Sequence, residues 1–174
     1  MFAIFDFVHA LVDNPKLEGA VKAGLTDLMF YVVLFMQMTS EQCEKWTENP
    51  DKFVEDEDED SFTYSVRISS QDLWMALFET FEEDCCAALP AILEKTLGQG
   101  EAAKAAGDIN FWKHRETAML ALGTVQKSVD RMVAKRLLNF DVSGFLETVV
   151  LSDVVNPGIT KTLFFRTCQV TTRT

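Results

Sequence analysis

Apolar residues return every three or four positions along most of this chain, a period that predicts one helix after another. Over residues 2–13, Phe2, Phe5, Val8/His9 and Val12 fall near one face. Asn14-Pro15 ends that stretch, with Asn14 suited to cap the next helix and Pro15 to open it, where no amide donor is needed. The second helix is expected to run to about residue 38 on a wide stripe of Leu25, Leu28, Met29, Val32, Phe35 and Met36. Thr39 with Gln42 forms a capping-box pattern for a short helix over 40–48, and Asn49-Pro50 stops it. A further helix is expected over 66–83, with Val66, Leu73, Leu77 and Phe81 on one face. Another covers 85–97, where Pro90 predicts a kink or a later start. Residues 98–107, with three glycines, read as a mobile connection. A long helix is expected over 110–130 on Trp112, Met119, Leu122, Val125 and Val129, and a last one from Asp141 or Ser143 to about 154, before Asn156-Pro157-Gly158.

Charge breaks this pattern at one place. Glu55, Asp56, Glu57, Asp58, Glu59 and Asp60 follow one another without a break. An unpaired buried carboxylate is strongly unfavourable, so all six are expected to be solvated. An extended run of that length reaches roughly 20 Å, about two Debye lengths at physiological salt. A cationic partner would meet it as one negative field, and such blocks commonly serve as interaction segments. The chain as a whole carries a net charge of −11, which disfavours sequence-independent binding of nucleic acid and favours basic partners. Residues 1–100 hold six basic and twenty acidic side chains, whereas residues 101–174 hold ten and seven.

With 174 residues and 48% hydrophobic content the chain can bury a core as one domain of ordinary size. Cys43, Cys85, Cys86 and Cys168 form no CxxC, which fits a reducing compartment. The apolar N-terminus lacks a basic leader and is interrupted by Asp6 and His9, so no signal peptide is expected. The longest apolar run, residues 28–36, is too short to span a bilayer and reads as a buried helix.

Candidate chemistry is sparse. His9 sits on an apolar stripe and reads as a packed histidine, and His114, between Lys113 and Arg115, reads as a helix surface. Asp56, Asp58 and Asp60 have the opening spacing of a calcium loop. Ser61 stands where glycine is required and Arg67 where a bidentate glutamate is required, so no calcium switch is expected. No nucleophile elbow, phosphate loop or zinc-protease motif occurs, so neither a catalytic site, a metal nor a cofactor is expected. Trp46, Trp74 and Trp112 read as packing residues, while Phe30, Tyr31 and Phe35 could face a neighbouring unit.

A repeat is visible. The stretch from Val66-Arg67-Ile68-Ser69 to Leu73 aligns with that from His114-Arg115-Glu116-Thr117 to Ala121. The two arginines are 48 positions apart, near the ~40–47 of HEAT-type units. Residues 115–123 resemble the second helix of a HEAT repeat and residues 89–97 the first. The expected fold is therefore all-α, a HEAT-repeat α-solenoid segment over 1–155. It carries an acidic insertion at about 49–65 and a divergent, poorly ordered tail over 156–174. That tail holds six threonines and three basic residues beyond residue 159, a composition with a slight bias to extended chain. In this scheme helix 19–38 pairs with 66–83 and helix 85–97 with 110–130, while the first and last helices lack their repeat mates.

Four stretches in this order, Met36-Gln37-Met38-Thr39-Ser40-Glu41-Gln42, Trp46-Thr47-Glu48-Asn49-Pro50, Phe53-Val54-Glu55-Asp56-Glu57-Asp58 and Val66-Arg67-Ile68-Ser69, resemble the acidic-insertion repeat of the karyopherin-β nuclear transport receptors. Phe7-Val8-His9-Ala10-Leu11 upstream and Trp112-Lys113 with Met119-Leu120-Ala121-Leu122-Gly123 downstream continue the likeness over roughly residues 2–155. The resemblance implies a non-enzymatic receptor that shuttles between cytoplasm and nucleus. It implies Ran-GTP, nuclear pore proteins and basic cargo such as core histones and ribosomal proteins as partners. By position, contact with cargo or Ran would fall on Glu55 to Asp60. Arg67 and Arg115 would bond to turn acids of adjacent repeats. Pro90 departs from the family, as does the chain beyond about Asp153. A helical-repeat scaffold unrelated to transport, with the acids merely solvating, is the other reading.

Overall fold

The computed structural model describes residues 2–56 and 65–151, which form α-helices and one π-helical segment and contain no strand. The helices are α1 (Phe2–Val12), α2 (Glu18–Ala23), α3 (Leu25–Phe35), α4 (Ser40–Glu48), α5 (Pro50–Asp56), α6 (Val66–Thr80), α7 (Glu82–Ala105), α8 (Trp112–Thr124), α9 (Gln126–Ala134) and α10 (Val142–Phe145), with the π-helical segment at Leu146–Leu151. The all-α helical-repeat expectation therefore stands, and the tail beyond residue 151 lies outside the described residues.

Helix α3 packs against α6, α7 and α8. Its Met29, Val32 and Val33 meet Leu73, Trp74 and Leu77 of α6, Leu89, Ile92 and Leu93 of α7 and Ala118 and Ala121 of α8 in one continuous core. The Trp74 indole donates to the Ala121 carbonyl at 2.9 Å, which satisfies its polar atom and pins α6 to α8. Helix α1 packs along α6, burying Phe5 and Val12, with Phe5 edge-on to Phe35 of α3 at 5.7 Å.

Several expected helices are divided. The stretch expected to run from Pro15 to Met38 begins only at Glu18 and breaks at Gly24, and Asn14 closes a turn on the Lys16 amide instead of capping a helix. The expected 66–83 helix ends at Phe81 and the expected 110–130 helix at Val125. Each of those residues leaves helical dihedrals (ψ 42 and 17) while its side chain stays buried. One residue thus redirects the chain while the apolar stripe continues unbroken across the junction.

Elsewhere helix continues where a break was expected. Helix α7 passes through Pro90, Gly98 and Gly100 as 24 continuous residues. A mid-helix proline costs about 3 kcal/mol. Burial of Leu89, Ile92 and Leu93 around it offsets that, at about 1.5–3 kcal/mol each. Gly100 has a separate role: a Cβ there would lie 3.0 Å from the His114 Cβ and 3.2 Å from the Phe111 carbonyl oxygen. The missing side chain lets α8 approach α7. The connection is confined to the turn after Ala105, where Gly107 takes φ +81.

Candidate partner-binding surface

Helices α4 and α5 form a hairpin beside the main body. Its start follows from sequence: the Thr39 hydroxyl accepts from the Gln42 amide while the Gln42 side chain accepts from the Thr39 amide. Asn49 is extended, as a residue before proline must be, and Pro50 opens α5. The hairpin has its own small core of Met38, Trp46 and Phe53, closed by Trp112 at the start of α8. Trp46 and Phe53 stand edge to face at 5.0 Å. Helix α5 occupies positions that sequence pattern assigned to the acidic insertion.

The acidic run begins at the end of this hairpin. Glu55 is exposed and pairs with Lys52 one turn earlier. Asp56 corrects the expectation that all six acids are solvated. It is 9% exposed and accepts from Lys45 Nζ at 2.6 Å and from the Trp46 indole at 3.0 Å. Burial pushes its carboxyl up, but the bonds from Lys45 and Trp46, with the Lys52 charge, outweigh this and hold it below the ordinary carboxylate range. Asp56 is therefore the clasp of the hairpin, tying α5 to α4 through Lys45 and Trp46. Glu57, Asp58, Glu59 and Asp60 lie outside the described residues.

Exposed acids line the hairpin beyond that run. Glu41, Glu44 and Glu48 of α4 and Asp51 of α5 are all exposed, and none has an ion-pair partner among the described residues. Both hairpin lysines are already engaged, Lys45 by Asp56 and Lys52 by Glu55. The surface is anionic with no cation left over.

The two repeat arginines hold the frame behind this surface. Arg67 of α6 makes a bidentate pair with Glu116 of α8, at 2.7 and 3.1 Å, and also donates to the Met36 carbonyl at the end of α3. Arg115 of α8 bonds Glu101 of α7 at 2.8 Å and reaches the Val149 carbonyl of the π-helical segment at 3.3 Å. Both acids stand on helices, where turn acids were expected. Sequence reading missed Glu116, although a carboxylate beside a buried arginine is what charge compensation demands. His114, expected on the surface, is half-buried and bonds through Nδ1 to the Gln37 amide at 3.1 Å. Burial lowers its pKa against a smaller opposing pull from Asp108.

Between hairpin and body lies a groove of about 690 Å³, walled by the end of α3, the first half of α4, Asp56, and Ser65, Val66 and Arg67 at the start of α6. Chemically, this region can attract cations over the hairpin and offer apolar surface in the groove. Of the three aromatic residues expected to face a neighbour, Tyr31 and Phe35 are exposed and Phe30 is buried. All three tryptophans are buried.

No protein-family model matches the chain. It is 32% identical over 119 residues, 68% of its length, to Importin-9 of Drosophila melanogaster. The aligned part is 12% of the fly protein, so the chain spans about an eighth of the relative it matches. That similarity supports an importin-like, karyopherin-type relationship for the all-α chain described above.

Proposed function

We propose that this chain is a segment of an importin-type nuclear transport receptor and that it binds basic protein partners through the α4–α5 hairpin and the acids that follow it. The observation that carries this reading is the likeness to Importin-9 over two thirds of the chain. The anionic hairpin with both lysines neutralised supports it independently. In this reading residues 1–155 are a HEAT-repeat unit and 156–174 a divergent tail. Glu55, Glu57, Asp58, Glu59 and Asp60 supply the electrostatic contact, and Arg67 and Arg115 keep the repeat rigid. Core histones and ribosomal proteins are the cargo class such a surface suits, with Ran-GTP and nuclear pore proteins as further partners and shuttling between cytoplasm and nucleus as the setting.

The mechanism is electrostatic. A field several kT deep speeds encounter with a lysine- and arginine-rich segment and competes with nucleic acid for it. Contacts to solvated charges are screened by salt, with a Debye length of about 10 Å at 0.1 M and about 3 Å at 1 M. The test is titration of the chain with a core histone dimer and with Ran-GTP at low and physiological salt. Binding that weakens steeply with salt, and that is mostly lost when Glu55 and residues 57–60 become Ser or Gly, is expected. Asp56 must be kept in that variant, because its loss would disturb the hairpin itself. Undiminished binding by the variant would refute the role of the acids, and a salt-insensitive partner recovered instead would favour a scaffold.

A further inference from the structure

We propose that the groove at the stem of the hairpin seats one bulky apolar side chain of the basic partner, so that the partner is selected by an anchor residue as well as by its charge. This rests on the basic-partner reading above and adds to it a place and a chemistry for specificity.

Most of the groove's polar side chains already bond within the chain. Thr39 and Gln42 cap each other, Ser65 accepts from the Ile68 amide, and Gln37 holds His114. Lys45 is taken by Asp56, and Arg67 by Glu116 and Met36. A ligand there would meet few polar side chains without a bond of their own. What remains is apolar surface. Phe35 is 42% exposed, and Leu34 and Val66 are half-buried beside it. The one charged lining side chain with no partner among the described residues is Glu41.

Apolar walls with one unpaired carboxylate, Glu41, in the lining match a bulky aliphatic or aromatic residue flanked by lysine or arginine. The surroundings extend that match, since Glu44, Glu48 and Asp51 are exposed on the same hairpin and Asp56, where the acidic run begins its exit, is itself a wall of the groove. The volume of about 690 Å³ lies within the ~300–1,000 Å³ of sites that enclose a small ligand, enough for an anchor and its neighbouring backbone. An acidic occupant would be repelled by the unpaired Glu41 carboxylate.

The test uses two lysine-rich peptides that differ only at one central residue, leucine in one and serine in the other, followed by fluorescence anisotropy. Wild-type chain is expected to prefer the leucine peptide by roughly tenfold, the scale of burying one such side chain. Phe35→Ser is expected to abolish that preference. Replacing Glu55 and residues 57–60 is expected to weaken both peptides and leave the ratio intact. Equal affinity of wild type for the two peptides overturns the groove while the basic-partner reading stands, and failure of both peptides to bind at low salt overturns both. Because Phe35 also packs on Phe5, a second measurement avoids that variant. A photo-reactive leucine at the central position, cross-linked to wild-type chain, should mark residues 34–42 or 65–67. Adducts confined to other residues would overturn the proposal.

Discussion

Arg67 and Glu116 face each other across α6 and α8 with their side chains 1% and 0% exposed, joined by two hydrogen bonds while the arginine also donates to the Met36 carbonyl that caps α3. Three helices meet at one ion pair. Removing one partner strands the other charge out of water, which costs about 3–5 kcal/mol. Glu116→Leu and Arg67→Met should each lose that much by urea denaturation. The double variant Arg67→Met with Glu116→Leu should lose clearly less than the sum of the two, because no charge is stranded. Additive losses would show that the two side chains act separately.

The Asp56 clasp predicts a local effect. Asp56→Asn should loosen the hairpin while the main core stays intact. Hydrogen exchange should rise over residues 40–56 and hold steady over α6 and α7. The pH sign follows from a carboxyl held below its ordinary value by Lys45 and Trp46. Its contribution is complete above the unfolded pKa of about 3.9 and fades as pH falls through the lower folded value. Hairpin protection in wild type should therefore survive to a lower pH than an ordinary carboxylate would allow, and protection lost already near pH 5 would contradict the clasp.

His114 predicts an opposite-charge case with the same direction. Burial disfavours its imidazolium, so its folded pKa lies below the unfolded value of about 6.5. The unfolded chain then takes up a proton first. Stability should be full above about pH 6.5 and decline as pH falls through the folded pKa. His114→Gln should flatten that part of the stability–pH curve, and an unchanged slope would mean that the ring titrates normally.

What could be read in the sequence was whatever a local pattern determines. The capping box at Thr39 and Gln42, the start and stop of α4 and the buried stripe of α3 all follow from spacing within a few residues. Phe81 and Val125 were opaque because each break leaves the hydrophobic period unbroken. Pro90 and Gly100 misled for a different reason. Their local preference is overruled by tertiary burial and by close packing of α8. At the candidate surface the acidic run was evident, but the fate of Asp56 was not, since its partners lie ten and eleven residues away on another helix. Glu116 sits 49 residues from Arg67, beyond any local rule.

Two helices end in the same hydrogen-bonded motif with different residues at its left-handed position. After α7, Gly107 takes φ +81, its amide bonds the Lys104 carbonyl and the next amide bonds Ala103. After α9, Arg136 takes φ 59, its amide bonds Val133 and the Leu137 amide bonds Met132. Both are Schellman ends, where glycine is favoured because a Cβ is strained there by roughly 1–2 kcal/mol. Glycine also adds freedom to the unfolded chain, a loss of up to about 1 kcal/mol. Arg136→Gly should therefore stabilise by a net ~0.5–1 kcal/mol in chemical denaturation, the remainder of those two terms. Gly107→Ala, which introduces the strain, should destabilise by about the same amount or more. A destabilising Arg136→Gly would mean that the exposed Arg136 side chain contributes to the fold more than its backbone costs.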